Sequence, residues 1–212
     1  MTATIQAREV TLSYLREKFN IQLVDDDQFF REWIDELPEI SEFEKQFLDQ
    51  VKASYFNLVE YPPMLETTVK MVVLSPLLHF AGFYLPPFHI KAEPEVEIVF
   101  EDEDETIIRG RMDVLVLKQQ FWVMVIESKS AQISIETGLA QILAYLLANP
   151  NPSMASFGML SNGRNFQFIK MTYQGTPQYG LSNSFDLRDR GNELYNVLKI
   201  MKRIAQIVKY YT

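Results

Sequence analysis

The sequence predicts an α/β fold, a mixed sheet flanked by helices with a helical extension before it, and three observations carry that prediction. Residues 94–127 contain three β-type segments separated by short polar breaks. Residues 137–147 follow at once with apolar residues at helical spacing. Residues 156–173 then give two further β segments joined by Ser161-Asn162-Gly163-Arg164, whose Asn-Gly pair is a strong hairpin signal. The 212 residues are 47% hydrophobic and 23% charged, an ordinary globular balance. It suits one domain plus an extension, divided at residues 1–60 and 61–212.

Taken in order, residues 4–20 predict a helix through Ile5, Val10, Leu12, Leu15 and Phe19. Asp25-Asp26-Asp27 predicts the cap of a second helix carrying Phe29, Phe30, Trp33 and Ile34 and ending before Pro38. Ser41 with Glu44 forms a capping-box pattern for a third, with Phe47, Leu48, Val51 and Phe56 on one stripe. Tyr61-Pro62-Pro63 separates this unit from a helix over 64–79. Glu66 sits in its first turn, suited to the helix dipole or to an i,i+4 pair with Lys70, and Pro76 is expected to kink or divide it. An amphipathic strand over 94–100, a turn at 101–105 (EDEDE), a strand over 107–117 and a strand over 121–127 follow. The last of these is apolar at almost every position, as a strand covered on both faces should be. The helix after it stops at Asn149-Pro150-Asn151-Pro152. Residues 179–187 are an expected edge strand, and 192–211 an amphipathic helix with Leu194, Val197, Leu198, Met201, Ile204 and Ile207 on its stripe.

Composition narrows the chemistry. There is no cysteine and there are only two histidines, so thiol catalysis and thiolate metal sites are excluded and a histidine-rich zinc site is disfavoured. No apolar run reaches the roughly 18 residues of a membrane span, and the first residues lack a basic start and apolar core. A cytoplasmic location is therefore expected, which the absence of cysteine fits. The net charge of −8 argues against nucleic acid, but its distribution does not. Residues 93–105 hold eight acids and no base, whereas from residue 106 onward twelve Lys and Arg face six Asp and Glu. The acidic run reads most simply as a solvated hairpin tip.

Charged residues inside the apolar β segments are the informative ones, because an unpaired buried charge costs several kcal/mol, on the order of its desolvation. Asp113 lies on the second segment, sharing a face with Arg109 and Arg111 by the period of two. Glu127 and Lys129 leave one face of the third while Ser128 points away. Gln141 and Tyr145, four apart, project together from the following helix. An ion-pair cluster of Lys129 with Asp113 or Glu127 and a polar patch on an amphipathic helix are the alternative structural readings. Arg109 and Arg111 suit phosphate contacts or pairing with EDEDE.

This order resembles the PD-(D/E)xK nuclease superfamily and, more narrowly, the N-terminal nuclease domain of type I restriction endonuclease R subunits. The residues that carry it are Glu66 with the trailing SPLLHFAGF (75–83), Arg109-Gly110-Arg111-Met112-Asp113, Glu127-Ser128-Lys129, Gln141-x-x-x-Tyr145 and Ser161-Asn162-Gly163, across about residues 61–173. The resemblance implies a restriction-endonuclease-like core and Mg²⁺-dependent hydrolysis of DNA phosphodiester bonds, with Mn²⁺ as a substitute. Asp113, Glu127 and the Ser128 carbonyl would hold the metal, and Glu66 would join through water. Lys129 would act on the attacking water, and Gln141 and Tyr145 would position substrate or brace that lysine. The motor domains of those subunits, and translocation with them, are not expected here. The other implied reading is a nuclease-fold module without activity, binding nucleic acid or assembling with a partner. A homodimer or a partner protein met through the N-terminal helices is an accompanying expectation.

Overall fold

A computed structural model describes residues 3–100, 106–119, 121–151 and 153–210. The expected EDEDE tip therefore lies outside the described residues, as do Gln120 of the break before the third expected strand, Pro152 of the helix stop and Tyr211. The chain begins with β1 (Ala3–Gln6), a 3₁₀ turn at Ala7–Glu9, α1 (Leu12–Phe19) and the two-residue β2 (Gln22–Leu23). Of the helix expected over 4–20, residues 12–19 are helical, while 4–6 are strand and 7–9 a 3₁₀ turn. Residues 3–6 instead complete the edge of a later strand, pairing in parallel from Ala3 with Thr106 to Gln6 with Arg109. Tertiary pairing overrides the weak local helical pattern.

The second expected helix is absent. Asp26 folds the chain back locally, its Oδ1 accepting from the Gln28 N–H (2.8 Å) and its carbonyl from the Phe29 N–H (2.9 Å), an alternative to helix that aspartate offers readily. The aromatic residues that suggested a stripe serve as packing groups: Phe30 is buried, and Trp33 meets Phe185 edge-on at 6.3 Å.

α2 (Glu42–Val59) forms as expected, with a complete capping box. The Ser41 N–H donates to Glu44 Oε2 (2.7 Å) and the Glu44 N–H to Ser41 Oγ (3.3 Å). Ser41→Ala should cost about 1 kcal/mol, measurable as a lower urea midpoint with an unchanged slope. α3 (Glu66–Val69) continues through a π-helical segment, Lys70–Leu74, into α4 (Ser75–Phe80). The expected effect of Pro76 takes this form: proline has no N–H and its ring would strike the Val72 carbonyl in an α-turn. The wide turn, closed by the Ser75 N–H on the Lys70 carbonyl, accommodates it.

The remaining elements are β3 (Phe88–Ala92), β4 (Glu95–Phe100), β5 (Thr106–Arg111), β6 (Val114–Lys118), β7 (Phe121–Ser128), a 3₁₀ turn at Ile135–Gly138, α5 (Leu139–Leu147), β8 (Ser156–Ser161), β9 (Asn165–Gln174), β10 (Thr176–Asp186) and α6 (Leu194–Tyr210). They make two mixed sheets. The larger has the order β2-β10-β9-β8-β7-β6-β3 and the smaller β1-β5-β4. The single strand expected over 107–117 is two strands in different sheets, and β3 was not anticipated. The chain leaves one sheet for the other at Met112-Asp113, directly opposite a matching turn at Glu93-Pro94. There the Met112 N–H bonds the Pro94 carbonyl and the Glu93 N–H bonds the Asp113 carbonyl, both at 3.1 Å.

Two apolar cores lie on the two faces of the large sheet. Met124 and Ile126 of β7 join α2, α4 and α6 on one side. Val125 joins α1 and α5 on the other. The alternation fixes where the polar end of β7 points: Glu127, two residues beyond Val125, faces α5. Three basic residues of α6 meet acids of the N-terminal region, Lys199 with Glu39 (3.3 Å), Lys202 with Glu44 and Arg203 with Glu36. Much of the charge asymmetry between the two halves is therefore neutralised within the fold. Among the described residues, no helix is long and apolar enough to cross a membrane.

Candidate active site

Four elements bring charged side chains together at the end of β7. Asp113 occupies the bend between β5 and β6, where its side chain is 12% exposed. Its Oδ2 accepts from the Ser128 N–H at 2.5 Å and its Oδ1 from Lys70 Nζ at 2.6 Å. Lys70 also reaches back one turn to Glu66 Oε1 at 2.8 Å. Glu127 is buried, its Oε1 accepting from Lys129 Nζ at 2.8 Å. Lys129 in turn donates to Gln141 Oε1 at 2.8 Å. Gln141 Nε2 donates to the Tyr145 hydroxyl (2.9 Å), which donates to the Arg111 carbonyl (3.0 Å).

This relay ties the lysine on one sheet to the backbone beside the bend in the other. Gln141 and Tyr145, buried on α5, therefore brace Lys129 rather than forming a polar surface patch. Glycine makes two of these approaches feasible. A Cβ on Gly110 would lie 2.7 Å from Tyr145 Cε1, and one on Gly138 would lie 3.1 Å from Lys129 Cε.

The electrostatics are those of a cluster short of positive charge. Among the described residues, Glu66, Asp113 and Glu127 face two ammonium groups, Lys70 and Lys129. Burial pushes the Asp113 carboxyl up to about 6, with Glu66 adding to the rise and Lys70 and the Ser128 N–H opposing it. Burial, then the neighbouring charge of Asp113, pushes Glu127 up to about 7 against the pull of Lys129. Burial also raises Glu66, but hydrogen bonds with Lys70 and Asp113 win and leave it below its usual value. Burial raises the Tyr145 phenol to about 12, which keeps it a donor at neutral pH. Glu127 Oε2 and Ser128 Oγ are buried with no hydrogen-bond partner among the described residues, a state that buried polar atoms rarely keep.

The donor chemistry fits a hard divalent cation, since two carboxylates and a nearby backbone carbonyl suit Mg²⁺ with several waters retained. Among the described residues, however, no three acidic or histidine side chains stand in an arrangement that would hold a metal by themselves. Lys70 is bonded to both Glu66 and Asp113.

Arg109 and Arg111 stand apart. The bend at Met112 ends the alternation that would have put them on one face with Asp113. They lie exposed across β4, Arg109 on Glu97 (2.8 Å) and Arg111 on Glu93 (3.4 Å) and Glu95 (3.5 Å). Two contributors escaped sequence reasoning. Lys70 was readable only as a partner for Glu66, its bond to Asp113 spanning 43 positions. Gly110 was visible within Arg-Gly-Arg, but the ring that lies against it was not.

A mixed α/β fold with one buried and one partly buried carboxylate and a hydrogen-bonded lysine at one sheet end defines the class of site. Over residues 87–183, a little under half of the chain, the sequence is similar to the type I restriction enzyme R protein N terminus. That stretch contains Asp113, Glu127, Lys129, Gln141 and Tyr145, while Glu66 and Lys70 precede it. Among solved structures, the chain is similar to a fragment assigned as an HsdR subunit of a type I restriction enzyme from Vibrio vulnificus YJ016. The identity is 22% and the TM-score 0.37, over 54% of this chain and 22% of that one, so this chain spans about a fifth of that fragment's length. It is also similar to a DrdV–DNA complex determined by cryo-electron microscopy, at 13% identity and a TM-score of 0.43, over 76% of this chain and 97% of that one. No curated protein matches.

Proposed function

We propose that the chain is a Mg²⁺-dependent endonuclease domain that hydrolyses DNA phosphodiester bonds, with a PD-(D/E)xK-type site in a restriction-endonuclease-like core. The observation that carries this reading is the convergence of Asp113, Glu127 and Lys129 from a sheet bend and a strand end, with Glu127 Oε2 buried and unpaired. The similarity over residues 87–183 supports it. Asp113, Glu127 and the Ser128 carbonyl would hold Mg²⁺ or Mn²⁺, with Glu66 assisting through water. When bound, the cation supplies Lewis-acid polarisation of the phosphate and a lowered pKa for water. Lys129, fixed between Glu127 and Gln141, orients the attacking water and offsets charge developing on the phosphate. Gln141 and Tyr145 hold the lysine in place. Arg109 and Arg111 contact the DNA backbone by exchanging their β4 carboxylates for phosphate oxygens.

Titration calorimetry with Mn²⁺ should show binding to the wild type that disappears in Asp113→Ala. Plasmid nicking should fall by about 100-fold or more in Lys129→Ala, the scale of lost general acid–base assistance. No cation binding at millimolar concentration, or equal nicking by both proteins, would remove the enzymatic reading. One observation favours a second reading, a nuclease-fold module that binds nucleic acid or assembles without cutting it: Lys70 already pairs with both Asp113 and Glu66. Retained DNA binding with neither cation binding nor nicking would select it.

A further inference from the structure

We infer that Lys70 is a built-in placeholder cation, a tethered ammonium that occupies Asp113 in the metal-free chain and must yield it before a divalent ion can bind. The inference deepens the metal-dependent reading above and rests on it. The two acid–lysine pairs of the cluster are not equivalent. Lys129 takes only Oε1 of Glu127 and leaves Oε2 without a partner. Asp113 has both oxygens engaged, Oδ2 by the Ser128 N–H and Oδ1 by Lys70 at 2.6 Å. A cation entering at Glu127 therefore meets an open oxygen, whereas at Asp113 it meets a positive charge already in contact.

Glu66 gives Lys70 somewhere to go. It lies one helical turn back, 2.8 Å from the same nitrogen, and is 42% exposed, whereas Asp113 is 12% exposed. On losing Asp113 the ammonium keeps one carboxylate partner and swings toward water, so displacement never leaves it alone in the interior. This assigns Glu66 to Lys70 first, as the residue that receives the displaced lysine. The π segment begins at Lys70 itself, and irregular turns of this kind recur where helices serve a site.

The test is calorimetric titration of Mn²⁺ and Mg²⁺ into wild type, Lys70→Gln and Lys70→Arg at one pH, with thermal unfolding followed in parallel. Lys70→Gln should bind at least about tenfold more tightly, the scale on which removing one competing charge-assisted contact moves an affinity. It should also melt lower without metal and gain more than wild type on adding Mn²⁺. Lys70→Arg keeps the charge and should bind no more tightly than wild type. Should Lys70→Gln fail to fold because Glu66 and Asp113 then repel, the double variant Glu66→Gln/Lys70→Gln removes the repulsion and should bind more tightly than Glu66→Gln alone. Binding by wild type that is matched or exceeded only by Lys70→Arg, or unchanged in Lys70→Gln, overturns the placeholder role and leaves the metal site standing. Absence of binding in every variant overturns both.

Discussion

Glu127→Gln is expected to make the metal-free protein more stable at pH 8 by on the order of 2–3 kcal/mol, and to make little difference near pH 4. The native state raises this carboxyl from an ordinary 4.5 to about 7, so the folded chain holds the proton more tightly than the unfolded one. The stability associated with that proton is fully present below about 4.5 and is lost as pH rises through about 7. Above that, an ionised carboxylate sits 4% exposed beside the charge of Asp113. Glutamine removes the charge and still offers an oxygen to Lys129. Urea unfolding at both pH values reads the effect, and a variant no more stable than wild type at pH 8 would show that Lys129 alone satisfies the carboxylate. Mg²⁺ should reverse the order, stabilising wild type and leaving Glu127→Gln behind.

Gly110→Ala should cost about 2–3 kcal/mol, near the upper range for overpacking by one carbon. Its Cβ would fall 2.6 Å from Ala7 Cβ, 2.7 Å from Tyr145 Cε1 and 2.8 Å from the Tyr145 hydroxyl. Ala7 is buried and its methyl cannot turn aside, so either the 3₁₀ turn after β1 lifts or Tyr145 moves. Moving the ring breaks its bond to the Arg111 carbonyl and frees Gln141, and with it Lys129. The loss should therefore couple to the tyrosine. Gly110→Ala combined with Tyr145→Phe should cost less than the sum of the two single changes, because the hydroxyl that meets the new methyl is gone. Strict additivity would mean that the strain is taken up at Ala7 alone.

Parts of this site were legible because a local period encodes them. Glu127 and Lys129 are two apart on a strand, and Gln141 and Tyr145 are four apart on a helix. Backbone geometry thus put each pair on one side before any contact was known. The capping box at Ser41 and Glu44 was legible for the same reason, since both partners lie within one turn. The failures had a different origin. The aromatic run at Phe29, Phe30 and Trp33 has a helical look, yet Asp26 satisfies the backbone in a turn and the rings pack on the sheet. Residues 107–117 read as one strand because nothing in their alternation marks Met112. The break stands opposite Pro94 and the positive φ of Glu93, in the turn between β3 and β4. The basic balance after residue 106 suggested a surface for phosphate, but Lys199, Lys202 and Arg203 are partnered by acids from the first 44 residues.

The sequence by itself determined the element types of the central region, the identity of the acids and the lysine, and the pairing of Gln141 with Tyr145. Each of those depends on residues a few positions apart, where covalent geometry is the only constraint. The tertiary structure alone decided that Asp113 stands at a bend between two sheets, that Arg109 and Arg111 turn to β4, and that Lys70 reaches Asp113. Those facts depend on which strands and helices come to lie side by side. That arrangement is selected by burial over the whole chain, and no short window of residues contains it.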